Sequence, residues 1–228
     1  MKSRGQDSFV NMPGFATRLY NSLTQIKAVE QQHRDIAHDL VSRIGHGRML
    51  DIGTGPGRLL REVHQLNPGI ELFGLDISES MVQLARKNLA GINANIRQGD
   101  IRHTNYADSF FDIVTCTGSF YLWDKPEECL EEIFRILEAS QSAYLFETYQ
   151  DFNEREVQEA LITNLREESL GRKLVTPVFL MKQLRMTYPA GEIADIIKRT
   201  SFADSHTIEK ITLGGLPAWL RIKLTKIS

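Results

Sequence analysis

The sequence predicts a doubly wound α/β fold on a seven-stranded, mostly parallel sheet with an antiparallel last strand, and three observations carry that prediction. Short runs rich in β-branched and aromatic residues alternate with segments whose apolar residues recur every three or four positions, the pattern of parallel strands joined by covering helices. One strand runs into a turn holding Gly53, Gly55 and Gly57 at alternate positions before a helix begins. Asp51, Asp76 and Asp100 stand at the ends of three successive predicted strands, which in open α/β sheets is where the ligand crevice lies.

Taken in order, residues 1–14 are polar and include Pro13 and Gly14, a loose lead-in. Ile26, Val29, Ile36, Ala37, Leu40, Val41 and Ile44 then form one helical stripe, ending at Gly45 to Gly47. Strands are expected at 48–52, 70–75, 94–97, 111–115 and 143–147, with helices at 58–66, 80–89 and 126–137. Residues 151–188 break the rhythm and read as a helical insertion after the fifth strand. It carries Arg166, Arg172, Lys173, Lys182 and Arg185, interleaved with Phe152, Phe179, Met181 and Met186. A helix at 190–200 follows, then a period-two stretch at 206–213 and a strand at 218–224. The turn-length connection Gly214-Gly215-Leu216-Pro217 makes these last two an antiparallel pair. One domain is expected, with a helical cover (1–44), a core (45–150), a lid (151–188) and a C-terminal helix and strand pair (189–228).

Composition excludes several classes. The 228 residues carry a formal charge of −2, so no bulk electrostatic footprint for phosphate backbones exists and nucleic acid is not expected as a partner. Residues 155–228 hold 12 Lys/Arg against 8 Asp/Glu, a mild asymmetry compatible with an anionic substrate or with solvated surface. Cys116 and Cys129 make neither a disulfide framework nor a zinc site, so no metal is expected and a reducing cytoplasm is the default. The apolar stretch 113–123 is far shorter than the roughly 20 residues of a membrane span. The opening MKSRGQDSFV lacks the apolar core of a signal peptide.

The segment MLDIGTGPGRLL, residues 49–60, is the most informative. Glycines accept positive φ and let the backbone lie against a ligand, bringing a helix N-terminus to something flat or anionic. A dinucleotide loop, G-x-G-x-x-G, would place its third glycine at position 58, which is Arg58. The glycine spacing therefore argues against NAD and FAD.

With its acidic strand end and G-x-G-x-G, the segment resembles the first motif of the class I S-adenosylmethionine-dependent methyltransferases. ELFGLD ending at Asp76, SESMVQLARKNL, QGDI at 98–101, FFDIVTCTGSFYLW at 110–123 and EECLEEIFRILE at 127–138 agree with that family in order and spacing. The pattern is most similar to the small-molecule type of ubiquinone and menaquinone methylation. It departs from that group where Pro-Gly-Gly commonly precedes the fifth strand, since Glu138-Ala139-Ser140-Gln141 stands there.

The resemblance implies a Rossmann-like fold, S-adenosyl-L-methionine as cofactor and a small-molecule methyl acceptor. It implies cofactor contacts from Tyr20, Asp51, Gly53, Thr54, Gly55, Gly57, Asp76, Ile77, Gly99, Asp100, Ile101 and Thr117, with Asp76 at the ribose and Asp100 at the adenine amine. Tyr20 and Arg18 would lie on a helix covering the cofactor. His103, Tyr121 and Glu147 are candidates for a general base, with Trp123 and Tyr149 further acceptor-side candidates. A monomer or homodimer is expected. Competing readings are a non-catalytic cofactor sensor and a methyltransferase of RNA or protein; against the latter stands Thr115-Cys116-Thr117-Gly118 where an Asn/Asp-Pro-Pro-Tyr motif would be required.

Overall fold

The structure, a computed structural model, describes residues 26–227. Its elements are α1 (Lys27–Val41), β1 (Gly47–Ile52), α2 (Arg58–Leu66), β2 (Ile70–Asp76), α3 (Glu79–Asn88), β3 (Ala94–Gln98), β4 (Phe111–Thr117), α4 (Pro126–Ile136) and β5 (Leu137–Thr148). They continue with α5 (Glu154–Asn164), α6 (Leu170–Leu184), α7 (Ala190–Ile197), β6 (His206–Leu213) and β7 (Leu216–Thr225).

The seven strands form one sheet in the order β3-β2-β1-β4-β5-β7-β6. Pairings from β3 through β5 are parallel, while β7 runs antiparallel to both β5 and β6. The chain winds outward from β1 in one direction and from β4 in the other. In a sheet wound this way the strand order reverses between β1 and β4, where such folds leave a crevice at the strand ends. The central strands are buried on both sides, Met49 to Ile52 on β1 and Ile113 to Cys116 on β4. This is why they read as continuous apolar runs.

Helices α1 and α7 end a few residues earlier than the sequence reading, at Val41 and Ile197, and two strand boundaries differ more. Strand β5 begins at Leu137 directly after α4, not at 143, and its pairing with β4 jumps from Phe111↔Leu137 to Ile113↔Ser142. The exposed residues 138–141 bulge there, Ser140 adopting a φ of 65°. Alternating polarity cannot reveal a strand whose first half is exposed. The β6–β7 connection is tighter than expected, Gly214 and Gly215 forming the turn at φ 54° and 76°, with Leu216 and Pro217 already in β7. Both turn residues being left-handed matches the twist of a two-residue hairpin. A Cβ on Gly214 would lie 2.1 Å from the Ala28 carbonyl oxygen, so the turn packs directly on α1. Asp35 accepts from the Gly214 N–H at 3.0 Å, and the Asn164 side-chain amide donates to the Gly214 carbonyl at 2.9 Å. One turn thereby ties α1 and α5 together above the strand ends.

Candidate functional site

A cavity of about 250 Å³ opens at the strand ends between β1 and β4. Its floor is the glycine loop. The Gly53 and Thr54 N–H groups both donate to the Leu75 carbonyl, fastening the loop to β2. Each loop glycine has a distinct reason. A Cβ on Gly53 would stand 2.3 Å from Ser119 Oγ. At Gly55, φ is +52° and a Cβ would meet only open space beside the cavity. Gly57, also expected at the cofactor, stands just outside the cavity wall: it caps α2 in the left-handed conformation, and a Cβ there would lie 2.8 Å from Leu89.

Of the expected cofactor residues, Asp51, Gly53, Thr54, Gly55, Asp76, Ile77, Gly99, Asp100, Ile101 and Thr117 all line this cavity. Tyr20 and Arg18 lie outside the described residues. Asp76 accepts from the Gly55 N–H at 2.8 Å and from the Ser78 N–H at 2.9 Å. A carboxylate has about four acceptor directions, so capacity remains for a diol. Burial raises its pKa, and burial with the neighbouring Asp76 charge pushes Asp51 up to about 7. Asp100 differs. Its oxygens take three bonds from the Arg102 guanidinium, between 2.6 and 3.1 Å, and one from the Arg102 N–H. Partial burial works to raise its pKa, but these bonds hold it below the usual range. Any donor approaching Asp100 therefore competes with Arg102, a neighbour the motif does not reveal.

The base candidates separate clearly. Tyr121 is buried and lines the cavity, its hydroxyl 3.4 Å from the Gln183 amide nitrogen. His103 is exposed and lies outside the wall, because the turn after Asp100 points it to solvent. Glu147 is buried behind the wall: one oxygen accepts from the N–H groups of Ser119 and Phe120, each at 2.8 Å. Burial pushes this carboxyl up to about 7. It holds the loop after β4 and does not face the cavity. Trp123 belongs to the wall; Tyr149 does not, being buried beneath the Lys210 ammonium. The basic residues of the insertion are likewise absent from the wall, so the charge asymmetry does not describe the site.

Sequence reasoning missed the far half of the cavity. Leu161, Asn164 and Leu165 come from α5 and its end, Leu180, Gln183 and Leu184 from α6, and Trp219 from β7. The helical spacing of the leucines was readable, but not which face would turn inward. It also missed His33 of α1, whose Nδ1 lies 2.7 Å from the Val29 carbonyl oxygen. That contact fixes the Nδ1–H tautomer and leaves Nε2 as an acceptor. Burial, aided by Arg58 and Arg61, pushes its pKa down to about 4.

Fold and site together define a nucleotide-type crevice protein: a glycine-lined turn at the topological switch point with a carboxylate on the neighbouring strand. Residues 45–191 match the family described as the methyltransferase domain, and the chain belongs to that family. It is 35% identical over 109 residues to the demethylmenaquinone methyltransferase of Lactobacillus johnsonii, covering 46% of this chain and 45% of that protein. The chain thus matches less than half the length of that relative. In fold it resembles an S-adenosyl-L-methionine-dependent methyltransferase of Methanococcus maripaludis, with a TM-score of 0.66 and 21% identity over 94% of both chains. It also resembles the plantazolicin methyltransferase BamL, crystallised with S-adenosylhomocysteine and a substrate analogue. There the TM-score is 0.75 at 16% identity, over 99% of this chain and 96% of that one.

Proposed function

We propose that this protein is an S-adenosyl-L-methionine-dependent methyltransferase acting on a small, uncharged and largely apolar acceptor. The observation that carries the reading is how charge divides along the cavity. His33, Asp51, Arg58, Asp76 and Asp100 surround the glycine loop, whereas the wall from Thr117 onward contains no charged side chain. One half suits a polar, zwitterionic cofactor and the other a neutral molecule, since an unpaired charge buried among leucines is costly.

The residues present fit the cofactor. Gly55 leaves open the space a side chain would fill, Asp76 retains acceptor capacity for the ribose, and Ile77 and Ile101 supply apolar contact for the base. When bound, the cofactor supplies a methyl group already electrophilic on its sulfonium. The protein's task is then orientation, and holding two reactants in attack geometry supplies roughly 7 to 11 kcal/mol of a barrier. Tyr121 and Trp123 border the acceptor half, and Glu147 sets their loop by gripping its backbone. Where the acceptor atom must lose a proton, Tyr121 is the wall residue placed among the earlier candidates, with His33 Nε2 a neutral acceptor on the cofactor side.

The reading includes a cytoplasmic setting and a monomer or homodimer. Among the described residues, no helix is long and apolar enough to cross a membrane. Calorimetry with S-adenosylmethionine and S-adenosylhomocysteine tests the proposal. Binding of both is expected, and failure of both at millimolar concentration overturns it. Turnover of labelled cofactor with a metabolite extract separates an enzyme from a sensor.

A further inference from the structure

The helical lid is apolar on both sides. Among the described residues eight large apolar side chains are exposed, and six of them lie between Ile162 and Met186. Leu170, Leu174 and Val178 follow one another at four-residue steps along α6, exposed by 74%, 67% and 71%. They form one outward stripe. The same helix turns Leu180, Gln183 and Leu184 into the cavity. Closing the cavity explains the inner face and leaves the outer one unexplained, and contiguous exposed apolar surface marks an interaction site.

Charge indicates what covers it. Helix α6 carries Arg172, Lys173 and Lys182 and no acidic residue. Lys182, four positions beyond Val178, shares its outward arc and is exposed, while Arg185, seven beyond, is exposed and paired with Glu154 at 2.9 Å. The acids just before the helix are engaged, Glu167 by Lys27 and Glu168 by Arg172. A helix with an apolar stripe edged by cations has the design of an interfacial helix on anionic lipid. A second copy is a poor occupant, because a two-fold contact through this face would oppose its cations to themselves.

We propose that the outer face of α6 docks on an anionic lipid surface, with Leu170, Leu174 and Val178 at the acyl boundary and Lys173 and Lys182 among the headgroups. Docking stands on the stripe and its charge alone. Its use for acceptor entry rests on the apolar-acceptor reading above, since a lid lying on a bilayer opens toward the phase in which apolar molecules dissolve.

Co-sedimentation of the whole chain with vesicles tests this, using phosphatidylcholine with and without phosphatidylglycerol. Partitioning to the anionic vesicles is expected to exceed that to neutral ones by about tenfold and to weaken with salt. L174D/V178D and K173E/K182E are each expected to abolish the difference while S-adenosylhomocysteine binding and the circular dichroism spectrum stay unchanged. Equal partitioning to both vesicle types, or variants that bind like the parent chain, overturns the proposal. So does a dimer in gel filtration that L174D/V178D converts to monomer, which assigns the stripe to a second copy. Loss of S-adenosylhomocysteine binding by the parent chain counts against the methyltransferase reading and leaves the vesicle result standing.

Discussion

Glu147, at the end of β5, accepts the backbone N–H of Ser119 through a 2.8 Å hydrogen bond, so a buried acid on one strand holds the loop that follows the strand beside it. The same oxygen accepts from Phe120, and Cys116 Sγ approaches it at 3.5 Å. Glu147→Ala leaves the buried Phe120 amide and the partly buried Ser119 amide without an acceptor and is expected to cost about 1–3 kcal/mol for each unsatisfied group. Glu147→Gln, whose amide oxygen can replace the carboxylate, is expected to retain most of that stability. Urea unfolding at fixed pH measures both; equal stability of Glu147→Ala and the parent would remove Glu147 from this role.

The same carboxyl sets a pH dependence. Burial raises the folded pKa of Glu147 from 4.5 to about 7 and that of Asp51 from 3.8 to about 7. The folded protein then binds protons that the unfolded chain releases, so this stability is present at low pH and is lost as pH rises through about 7. His33 runs the other way: lowered from 6.5 to about 4, its contribution is present above 6.5 and lost as pH falls toward 4. Glu147→Gln is therefore expected to reduce the loss between pH 5 and 8, by up to about 3 kcal/mol. His33→Gln should reduce the loss between pH 6.5 and 4. Unfolding curves across pH 4 to 8 give both slopes.

Gly53 and Gly55 separate stability from binding. Gly53→Ala drives a Cβ to 2.3 Å from Ser119 Oγ at a φ of 68°, and is expected to destabilise by about 1–3 kcal/mol. Ser119→Gly should relieve part of that cost. Gly55→Ala meets no atom closer than 4.0 Å, so its penalty is limited to the left-handed backbone, about 1 kcal/mol. Its methyl group instead occupies the cradle, and S-adenosylhomocysteine affinity should fall at least tenfold. Thermal melts paired with calorimetry distinguish the two effects.

Asp76→Ala is expected to weaken cofactor binding through loss of charge-assisted hydrogen bonds worth about 1.5–3 kcal/mol each. It also releases the Gly55 and Ser78 N–H groups, so the loop loosens and stability falls as well. Asp76→Asn, keeping one acceptor oxygen, should lose less of both. An unchanged dissociation constant in Asp76→Ala would place the ribose elsewhere.

The base candidates are resolved by kinetics. His103→Ala removes an exposed side chain outside the wall and is expected to leave S-adenosylhomocysteine release unchanged. Tyr121→Phe removes a hydroxyl from the wall, and where the acceptor must be deprotonated, kcat is expected to drop on the order of 10²-fold with little change in KM. A reversed order of effects would return His103 to the site.

Much of the cavity around the glycine loop could be read directly from sequence because local backbone chemistry writes it there. Positive φ requires glycine at 53 and 55, and strand ends at a switch point dictate where Asp51 and Asp76 stand. Gly57 and Asp100 show the limit even there. The glycine serves as the left-handed cap of α2 beside Leu89, and the carboxylate's partner is Arg102; motif spacing reveals neither neighbour. Glu147 is a second case, since a carboxylate at a strand end could face the crevice or the neighbouring loop, and only the packing of β4 against β5 decides.

The sequence by itself determined the alternation of strands and helices, the glycine turn and the carboxylates beside it, because each follows from the conformational and hydrogen-bonding needs of residues close along the chain. Tertiary structure decided the apolar far half of the cavity. Leu161, Leu184 and Trp219 come from three elements far apart in sequence, and the hairpin turn at Gly214 and Gly215 brings the first of these elements over the sheet by packing on α1. Apolar residues at helical spacing state only that a face must be covered. Which neighbour covers it, and which stripe is left outside, depends on how all the elements fill one volume.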